Sequence, residues 1–527
     1  MTTSKKNWVA AAGAALVAGL LSAAPVAAES PLKVVVHADL KILDPVWTTA
    51  NITNRHGYLI YDTLMALDEK YVPQPQMVDR YTISDDKLVY TFTLRPGLKF
   101  HDGQPVTAAD AVASVKRWGG RDPMGQRLMQ FTASLDAVDG ATFRLTLKEP
   151  YGLVLESLAK TTSPAFIMPE RVARTEISTQ ISDYTGSGPF IFVKDEWRPG
   201  NKVIYRKNPD YVPRAEPPSY LAGGKVARLD RVEWLYIPDA NTALSALQAG
   251  EVDYFEVPPL DFVPLMERNR NIRLVTIDPL GFQALLRPNF LYPPFNNAKA
   301  RQALLHIVKQ EDYMRATIGN PKYYRKFCGA FFMCGSENET AVGSEALAGQ
   351  DFEKAKALLK EAGYNGEKIV VLQPTDRSEY NAPTMVTIQN LRKAGVNVEV
   401  QAMDWGTVLS RRAKRDAPDQ GGYHLFHTAQ GGTNTAMPVA NTWFNTRCDK
   451  ANPGWACDLE LDKMVEEWSR EPDVGKRKAI LERIQTRAYE TVPYVPTGQY
   501  NLPTAVRANV KGVLVSGFPV YWNIEKQ

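Results

Sequence analysis

The stretch KIVVLQPTDRSEYNAPTMVTIQNLRKAGVNVEVQAMD, residues 368–404, has the order strand, helix, strand. KIVVLQP (368–374) and NVEVQAMD (397–404) are short apolar runs, and the helix APTMVTIQNLRKAG (382–395) lies between them. This order predicts two parallel strands joined by a right-handed crossover. Ligands bind such sheets at the loops that leave the carboxyl ends of the strands. The loop with Asp376, Arg377, Tyr380 and Asn381 is therefore a candidate pocket wall.

The rest of the chain alternates in the same way, which predicts an α/β fold class. Strand-like runs occupy 33–40, 87–95, 142–149, 231–238 and 271–278, and helical patterns occupy 107–118, 239–250, 297–314, 351–364 and 475–490. A chain of 527 residues exceeds what one core accommodates, so we expect two or three domains. Since no repeat or low-complexity linker divides it, the chain should cross between these domains more than once.

The first thirty residues, MTTSKKNWVAAAGAALVAGLLSAAPVAAES, have the layout of a secretory signal peptide with cleavage near Ala28. The apolar run is shorter than the roughly 20 residues of a membrane span, and no cysteine at the cleavage site could carry a lipid anchor. We expect a cleaved signal peptide at 1–28 and a periplasmic mature protein. Its loss lowers the formal net charge from +4 to +2. That charge is too balanced to indicate a nucleic-acid or membrane-surface partner.

The four cysteines fall into two close pairs, Cys328 with Cys334 and Cys448 with Cys457. An exported chain meets an oxidising compartment, where two short-loop disulfides are the simplest pairing. Neither spacing is CxxC, which argues against zinc binding and thioredoxin-like chemistry.

Catalytic motifs are missing from the sequence: there is no G-x-S-x-G elbow, H-E-x-x-H helix or Walker A loop. Ser157 and Lys160 match S-x-x-K without the partner motifs, and TGSGPF (185–190) reads as a rigid turn. His101 fits a turn and His306 a packed helix. Nothing assembles a nucleophile, a base and an orienting group, so we expect neither an enzyme nor a cofactor.

GYHLFHTAQGGTNTAMP, residues 422–438, raises the question of a metal site because it holds His424 and His427. The segment YHLFHT reads as a strand, in which residues three apart point to opposite faces. These two histidines should therefore not bind one ion. The glycine-containing loop that follows is better interpreted as the wall of a cleft.

Several stretches, in order, resemble a known family. They are YDTLMALDEKYVPQPQMVDRYTISDDKLVYTFTLRPGLKFHDGQPVTAADAVASVKRW (61–118), GSGPF (186–190), ALSALQAGEVDYFE (243–256), PPFNNAKARQALLHIVKQ (293–310) and DFEKAKALLKEAGY (351–364). Together they resemble the extracytoplasmic solute-binding proteins of peptide-type ABC importers, solute-binding protein family 5. That family includes dipeptide-, oligopeptide-, glutathione-, opine- and nickel-binding members.

The resemblance implies a two-lobed clamp of the type II periplasmic-binding-protein kind with an extra inserted domain. Lobe one would comprise 29–66, 187–283 and 502–527; the inserted domain would be 67–186, and lobe two 284–501. The lobes would close on a ligand by a hinge. The loaded protein, a monomer, would then dock on permease subunits in the inner membrane whose cytoplasmic ATPases supply the energy.

The resemblance also names ligand-binding candidates. In peptide-binding relatives an Arg after a second-lobe strand holds the ligand carboxylate, and Arg377 is its counterpart here, unless it is a surface Arg paired with Asp376 or Glu379. The loop that carries an acidic ammonium ligand in those relatives is AQGGTNTAMP (429–438), which has no Asp or Glu. Asn434, Gln430 and Thr433 offer only neutral hydrogen bonds. Because a buried ammonium needs a paired charge, we expect a blocked peptide, opine-like conjugate or sugar acid before an ordinary dipeptide.

Aromatic residues complete the candidate site. Apolar contact surface is expected from Tyr380, Trp405, Tyr500 and the Trp443–Phe444 pair, each of which could equally be core; Asp44 and Trp47 are weaker candidates in the first-strand loop (38–51). The alternative function on this scaffold is binding of a non-peptide solute, such as an opine, a sugar conjugate or a metal chelate. A metal chelate would need His424 or His427 in the cleft. A further alternative is a ligand sensor that another receptor reads.

Overall fold

A computed structural model describes residues 31–527, so the predicted signal peptide lies outside the described residues. The strands are β1 Leu32–Val35, β2 Met65–Leu67, β3 Pro73–Pro75, β4 Val78–Ile83, β5 Val89–Leu94, β6 Thr132–Ala137, β7 Thr142–Leu147, β8 Phe190–Phe192, β9 Lys202–Lys207, β10 Arg231–Leu235, β11 Tyr254–Phe255, β12 Ile272–Val275, β13 Phe282–Pro288, β14 Tyr324–Arg325, β15 Ile369–Pro374, β16 Val398–Met403, β17 Leu425–Gly431, β18 Val495–Tyr500, β19 Thr504–Arg507, β20 Val510–Lys511 and β21 Glu525–Lys526.

The helices alternate with these strands, as expected of an α/β fold. They are α1 Asn51–Ile60, α2 Ala108–Gly119, α3 Pro123–Phe131, α4 Val154–Leu158, α5 Glu170–Ala173, α6 Ala240–Ala249, α7 Val263–Glu267, α8 Ala298–His306, α9 Gln310–Thr317, α10 Glu345–Ala348, α11 Phe352–Glu361, α12 Ser378–Lys393, α13 Trp405–Arg412, α14 Gly432–Thr435, α15 Leu459–Arg470 and α16 Val474–Thr491. None of the helices in 31–527 is both long and apolar enough to cross a bilayer.

The first large sheet has seven strands in the order β12-β19-β11-β1-β10-β9-β8. Its centre is β1, which pairs in parallel with both β10 and β11. Leu32, Val34 and Val35 of β1 are buried, as expected of a strand covered on both faces. The remaining pairings in this sheet are antiparallel.

The second large sheet has six strands in the order β14-β18-β13-β17-β15-β16 and contains the strand–helix–strand unit of 368–404. The predicted parallel pair is confirmed: β15 and β16 run in register from Ile369 opposite Val398 to Pro374 opposite Met403. Helix α12 begins at Ser378, four residues before the predicted start, and contains Pro383. A proline here removes one helical hydrogen bond, and the helix continues to Lys393.

A separate antiparallel sheet, β4-β5-β7-β6, lies between residues 78 and 147. It packs against α2, which starts as its sequence indicates. Thr107 caps the helix by accepting from the Asp110 backbone N–H, and the Asp110 side chain accepts from the Thr107 backbone in return. This reciprocal pair satisfies two backbone donors that the first turn leaves free.

The helical pattern at 297–314 was predicted as one helix and is two. Helix α8 ends at His306 and α9 begins at Gln310, with Lys309 in an extended conformation between them. Ile307 and Val308 are both fully buried at the break. The side chain of Gln310 donates to the backbone oxygens of Cys328 and Pro496. Packing has overridden the continuous apolar periodicity.

Buried ion pairs join segments of the chain that are distant in sequence. Asp62 and Lys225 are 2.7 Å apart, each with a side chain only 1% exposed. Glu256 is fully buried and accepts from Arg55 at 2.5 Å, while its second oxygen accepts from the Tyr521 hydroxyl at 2.8 Å. Removing one partner of such a pair costs about 3–5 kcal/mol. These contacts therefore fix segments more than 150 residues apart in sequence.

Two short connections run between the large sheets: 276–281, from β12 to β13, and 501–503, from β18 to β19. They are bonded to each other, since the Asn501 side chain donates to the Asp278 carbonyl. Gln499, near the end of β18, donates to the Leu280 carbonyl of the first connection. Gly281 sits there at φ +62° with the Tyr500 carbonyl 2.1 Å from where a Cβ would be. Only glycine suits that approach. The domain boundaries expected from the sequence stay a prediction.

Candidate ligand-binding site

A cavity lies between the α4 region and the loop that follows β17. Its walls come from five parts of the chain, and they are Leu67, Tyr71, Glu156, Lys160, Thr161, Thr162, Leu280, Ser336, Glu337, Asn338, Thr433, Asn434, Ala436, Met437 and Ala440. Leu280 belongs to one of the two connections between the large sheets. The cavity is thus placed where several chain segments converge beside those connections.

Asn434 and Thr433, two of the sequence candidates, line this cavity. The Thr162 hydroxyl donates to the Asn434 side-chain oxygen at 2.9 Å, so the loop touches the opposite wall. Asn338 donates to the Ala436 backbone oxygen at 2.9 Å. The loop therefore joins two other cavity segments through neutral hydrogen bonds, with no acidic residue of its own.

Gln430, the third candidate in residues 429–438, does not line the cavity and instead contacts residues next to it. Its amide nitrogen contacts the Asn434 backbone oxygen at 3.4 Å, and its side-chain oxygen accepts from the Thr442 hydroxyl at 3.3 Å. In this conformation Gln430 positions the loop around Asn434.

Arg377 lies at the carboxyl end of β15 in a cluster separate from the cavity lining. Its Nε donates to Glu379 at 2.7 Å, and this pairing raises the pKa of Arg377. Its side chain is 48% exposed. The alternative that the sequence offers, a surface Arg377 paired with Glu379, is therefore present in the structure. The ligand role of Arg377 stays a prediction.

Tyr380 and Trp405 belong to the same cluster. Their ring centroids are 4.3 Å apart, and the Arg412 guanidinium lies 5.4 Å from the Trp405 ring. The Asp376 carboxylate accepts from the Trp405 backbone N–H at 2.7 Å and so links the ends of β15 and β16. The cluster forms an aromatic and cationic surface at the predicted edge of the sheet.

The remaining aromatic candidates are spread over other environments. Tyr500 is buried and stacks on Phe282 at 5.5 Å, and Trp443 is buried beneath Arg287. Both positions agree with the alternative that these aromatic residues belong to the hydrophobic core. Trp47 lines a different cavity, where the Arg121 guanidinium lies 5.2 Å from its ring.

Asp44 has a structural environment. Its carboxylate is buried, accepts from Arg117 at 2.8 Å, and also accepts from the backbone N–H groups of Val46 and Ile181. These contacts occupy both oxygens, which corrects the suggestion that Asp44 reaches a ligand in this conformation.

Three charged cavity residues were missed in the sequence: Glu156, Lys160 and Glu337. Lys160 is paired with Asp122, and Glu156 accepts from Arg477 at 2.9 Å. Glu337 follows the Cys328–Cys334 loop at a point with no motif to identify it. Only the folded chain shows that these charges face one cavity.

The S-x-x-K match has a structural explanation. The Ser157 hydroxyl donates to the Leu153 backbone oxygen at 2.6 Å, and the Lys160 ammonium is engaged by Asp122. Neither group is aligned to activate the other. His101 is a turn-bonding residue as expected, since the Gly186 N–H donates to its Nδ1 at 3.1 Å and its Nε2 meets the Gly188 carbonyl at 3.2 Å.

His424 and His427 make separate contacts, as the strand interpretation predicts. The Val370 backbone N–H donates to His424 Nδ1 at 2.9 Å, and His427 Nε2 contacts the Thr387 hydroxyl at 2.8 Å. Burial lowers the pKa of His424 to about 4 and that of His427 to about 3. Within residues 31–527, no three His, Cys, Asp or Glu side chains are grouped as metal ligands.

Both predicted disulfides, Cys328–Cys334 and Cys448–Cys457, are confirmed. The first bridge ends just before the cavity residues 336–338. Each bridge closes a short loop, which restricts the unfolded chain more than it creates chemistry.

The segment that contains Gly152 and Glu156 also contacts α15 and α16 outside the cavity. Arg477 of α16 donates to the Gly152 carbonyl at 2.8 Å and to Glu156 at 2.9 Å. The Gly152 N–H donates to the Ser469 carbonyl at 3.1 Å. A Cβ at Gly152 would lie 2.1 Å from the Glu471 carbonyl oxygen, so the two walls meet backbone to backbone at this position.

Comparison with known proteins identifies the family. The model for "Bacterial extracellular solute-binding proteins, family 5 Middle" matches residues 72–452. A relative from Sinorhizobium fredii, described as a probable peptide ABC transporter periplasmic-binding protein, is 41% identical over 100% of both chains.

Two solved structures show the same fold. The ABC transporter substrate-binding protein CtaP of Listeria monocytogenes has a TM-score of 0.79 at 22% identity, covering 94% of this chain and 99% of its own. AgaA of A. tumefaciens R10, solved with agropinic acid, has a TM-score of 0.71 at 22% identity, covering 94% and 99%. The clamp fold expected from the sequence is confirmed, and the family is one of transport solute-binding proteins. This chain belongs to the bacterial extracellular solute-binding proteins of family 5.

Proposed function

We propose that this protein is the periplasmic solute-binding component of an ABC importer and that it captures a peptide or peptide-like solute. The single observation that carries the solute class is the cavity: it combines neutral hydrogen-bonding groups on Asn434 and Thr433 with the charge of Glu337 and with apolar surface from Leu67, Leu280 and Met437. A peptide, with its ammonium group, amide groups and apolar side chains, matches such a lining. The family membership and the peptide-transporter relative support the same class.

The proposed mechanism is closure of two lobes around the solute. The cavity lies beside the two connections that join the large sheets, where a hinge has to lie if the sheets move as units. In this mechanism the contacts of Arg477 with Gly152 and Glu156 form when the lobes close. The closed monomer then presents both lobes to permease subunits, whose cytoplasmic ATPases drive release. The protein itself performs no chemistry.

The division of the chain remains part of this proposal. Lobe one comprises 29–66, 187–283 and 502–527, the inserted domain 67–186, and lobe two 284–501. The strand membership of the three main sheets supports this division, because each sheet draws its strands almost entirely from one of these units.

An opine or sugar-acid ligand is the second candidate. The observation in its favour is the absence of Asp and Glu from residues 429–438. It matches the structural similarity to AgaA, which was solved with agropinic acid.

A thermal-shift screen discriminates between these candidates. A ligand that binds only the folded state raises the unfolding temperature. A free ligand concentration of 100 times Kd adds about 2.7 kcal/mol to the free energy of unfolding. We expect peptides of two to five residues to give the largest shifts, against panels of opines, sugar acids and nickel chelates. Shifts confined to a non-peptide panel would overturn the peptide proposal in favour of that solute class.

A further inference from the structure

Glu337 occupies a fixed position in a loop that is anchored on both sides. The Ser336 hydroxyl donates to the Phe332 carbonyl at 2.6 Å, and Asn338 donates to the Ala436 carbonyl at 2.9 Å. Glu339 accepts from the Gly335 N–H at 2.7 Å and closes the turn. The contact with Ala436 places the loop directly against residues 429–438, the segment that contains no Asp or Glu.

The Glu337 carboxylate has no hydrogen-bond or ion-pair partner within residues 31–527, although it lines the cavity with Asn434 and Lys160. Its side chain is solvent-accessible, yet it is surrounded by protein at longer range. Both properties hold for a side chain that projects into a cleft. The other acid of the cavity, Glu156, already has Arg477 as its partner.

The electrostatic surroundings of Glu337 favour a cation from outside the protein. Partial desolvation by the surrounding protein raises its pKa to about 7; Glu156 and Asp68 add to the rise and Arg477 opposes it. Lys160 and Tyr71 also line the cavity, but Lys160 is engaged by Asp122. A carboxylate in such a place is strongly stabilised by an incoming ammonium.

Resting on the proposed function, we propose that Glu337 is the specificity residue that receives the cationic amino group of the ligand. It supplies, from the loop after the Cys328–Cys334 disulfide, the negative charge that residues 429–438 lack. The ligand is therefore a peptide with a free amino group, in contrast to the blocked peptide that the sequence alone leads us to expect.

The test uses matched peptides. Alanine peptides of two to five residues are titrated calorimetrically into wild-type protein, each with a free and with an acetylated N-terminus. We expect the free form to bind about 10- to 100-fold more tightly than the acetylated form, because the latter leaves the carboxylate unpaired. Glu337→Gln should abolish this preference by weakening only the free form.

Control variants make the outcomes distinct. Glu345→Gln removes a charge from the same part of the chain outside the cavity and should keep the wild-type preference; circular dichroism confirms folding of both variants. If peptides bind and Glu337→Gln retains the preference, the role of Glu337 is refuted while the peptide proposal stands. If no peptide in either form binds wild-type protein, both are refuted.

Discussion

At the residue scale, the two charged residues proposed to contact a peptide differ in whether they already have a partner in the protein. Arg377 precedes the first residue of α12 at the carboxyl end of β15, and its guanidinium is paired with Glu379. Glu337 lies in an irregular loop and has no partner in the described chain. An Arg that must exchange a protein carboxylate for a ligand carboxylate gains less than an unpaired group gains on meeting its ligand.

Arg377→Ala is expected to weaken peptides that carry a free C-terminal carboxylate. A charge-assisted hydrogen bond contributes about 1.5–3 kcal/mol, roughly a tenfold to hundredfold change in Kd. Calorimetry with one peptide as the free acid and as the C-terminal amide measures the effect, which should be confined to the acid. Arg392→Ala, near the other end of the same helix, is the control. Equal losses for acid and amide would contradict the carboxylate role.

The affinity for a free-amine peptide should depend on pH. Partial desolvation raises the pKa of Glu337 to about 7 without ligand, and an ammonium binds its ionised form. Below pH 7 the carboxyl group must lose its proton on binding, so affinity falls by up to about tenfold per pH unit. The peptide amine, with a pKa near 8, is mostly charged at pH 7.5 and almost fully charged at pH 6.5 and below.

Titrations at pH 7.5, 6.5 and 5.5 check this dependence. The difference between wild-type protein and Glu337→Gln isolates the effect from that of Asp278, whose pKa burial also raises to about 7. An affinity of the wild-type protein that is constant over this range would show that Glu337 does not bind the amine.

The sequence identified Asn434 and Thr433 as cavity residues because they closely follow the end of a recognisable strand; in the structure they lie in the short helix α14. It missed Glu337 because the nearest motif is a disulfide, and a disulfide gives the position of a loop without the direction of its side chains. It placed Tyr500 and Trp443 among the ligand contacts, and both are buried. Residue type alone does not distinguish an aromatic core from an aromatic pocket.

At the element scale, the connection after β7 meets the turn between α15 and α16. Gly152 is the point of closest approach, where a Cβ would lie 2.1 Å from the Glu471 carbonyl and 3.1 Å from the Pro472 nitrogen. These are backbone atoms on both sides, so no side-chain rotation relieves the clash. Any residue other than glycine pushes the two elements apart.

Gly152→Ala should therefore disfavour the closed form while leaving each lobe folded. Forcing a methyl group into such a contact costs about 1–3 kcal/mol, roughly a 5- to 150-fold loss of peptide affinity. Small-angle scattering should show less compaction with peptide than in wild-type protein. Gly140→Ala is the matched control, because nothing lies within 4 Å of a Cβ there. Wild-type affinity and compaction in Gly152→Ala would contradict the closure role.

Strands and helices with strong periodicity were predicted within a few residues, as the pairing of β15 with β16 shows. The break between α8 and α9 was not, because it depends on Gln310 reaching carbonyls of Cys328 and Pro496 that are distant in sequence. Local patterns predict elements, and long-range contacts decide where they are interrupted.

At the scale of the whole molecule, the two connections between the large sheets separate this fold from a string of domains. Each connection is short, and they are bonded to one another through Asn501 and Asp278. A cavity beside the two connections suits a clamp, because small changes of backbone conformation in the connections move one large sheet relative to the other. The order of the family stretches predicted this architecture, while the solute class depends on the cavity lining.

The most direct test of the central claim is capture from a mixture. Purified protein is incubated with an enzymatic digest of casein supplemented with opines, sugar acids and nickel chelates, separated by gel filtration, and the released solutes are identified by mass spectrometry. We predict enrichment of short peptides with free amino termini on wild-type protein and little on Gly152→Ala. Recovery of only non-peptide solutes, or of no enriched solute, would contradict the account.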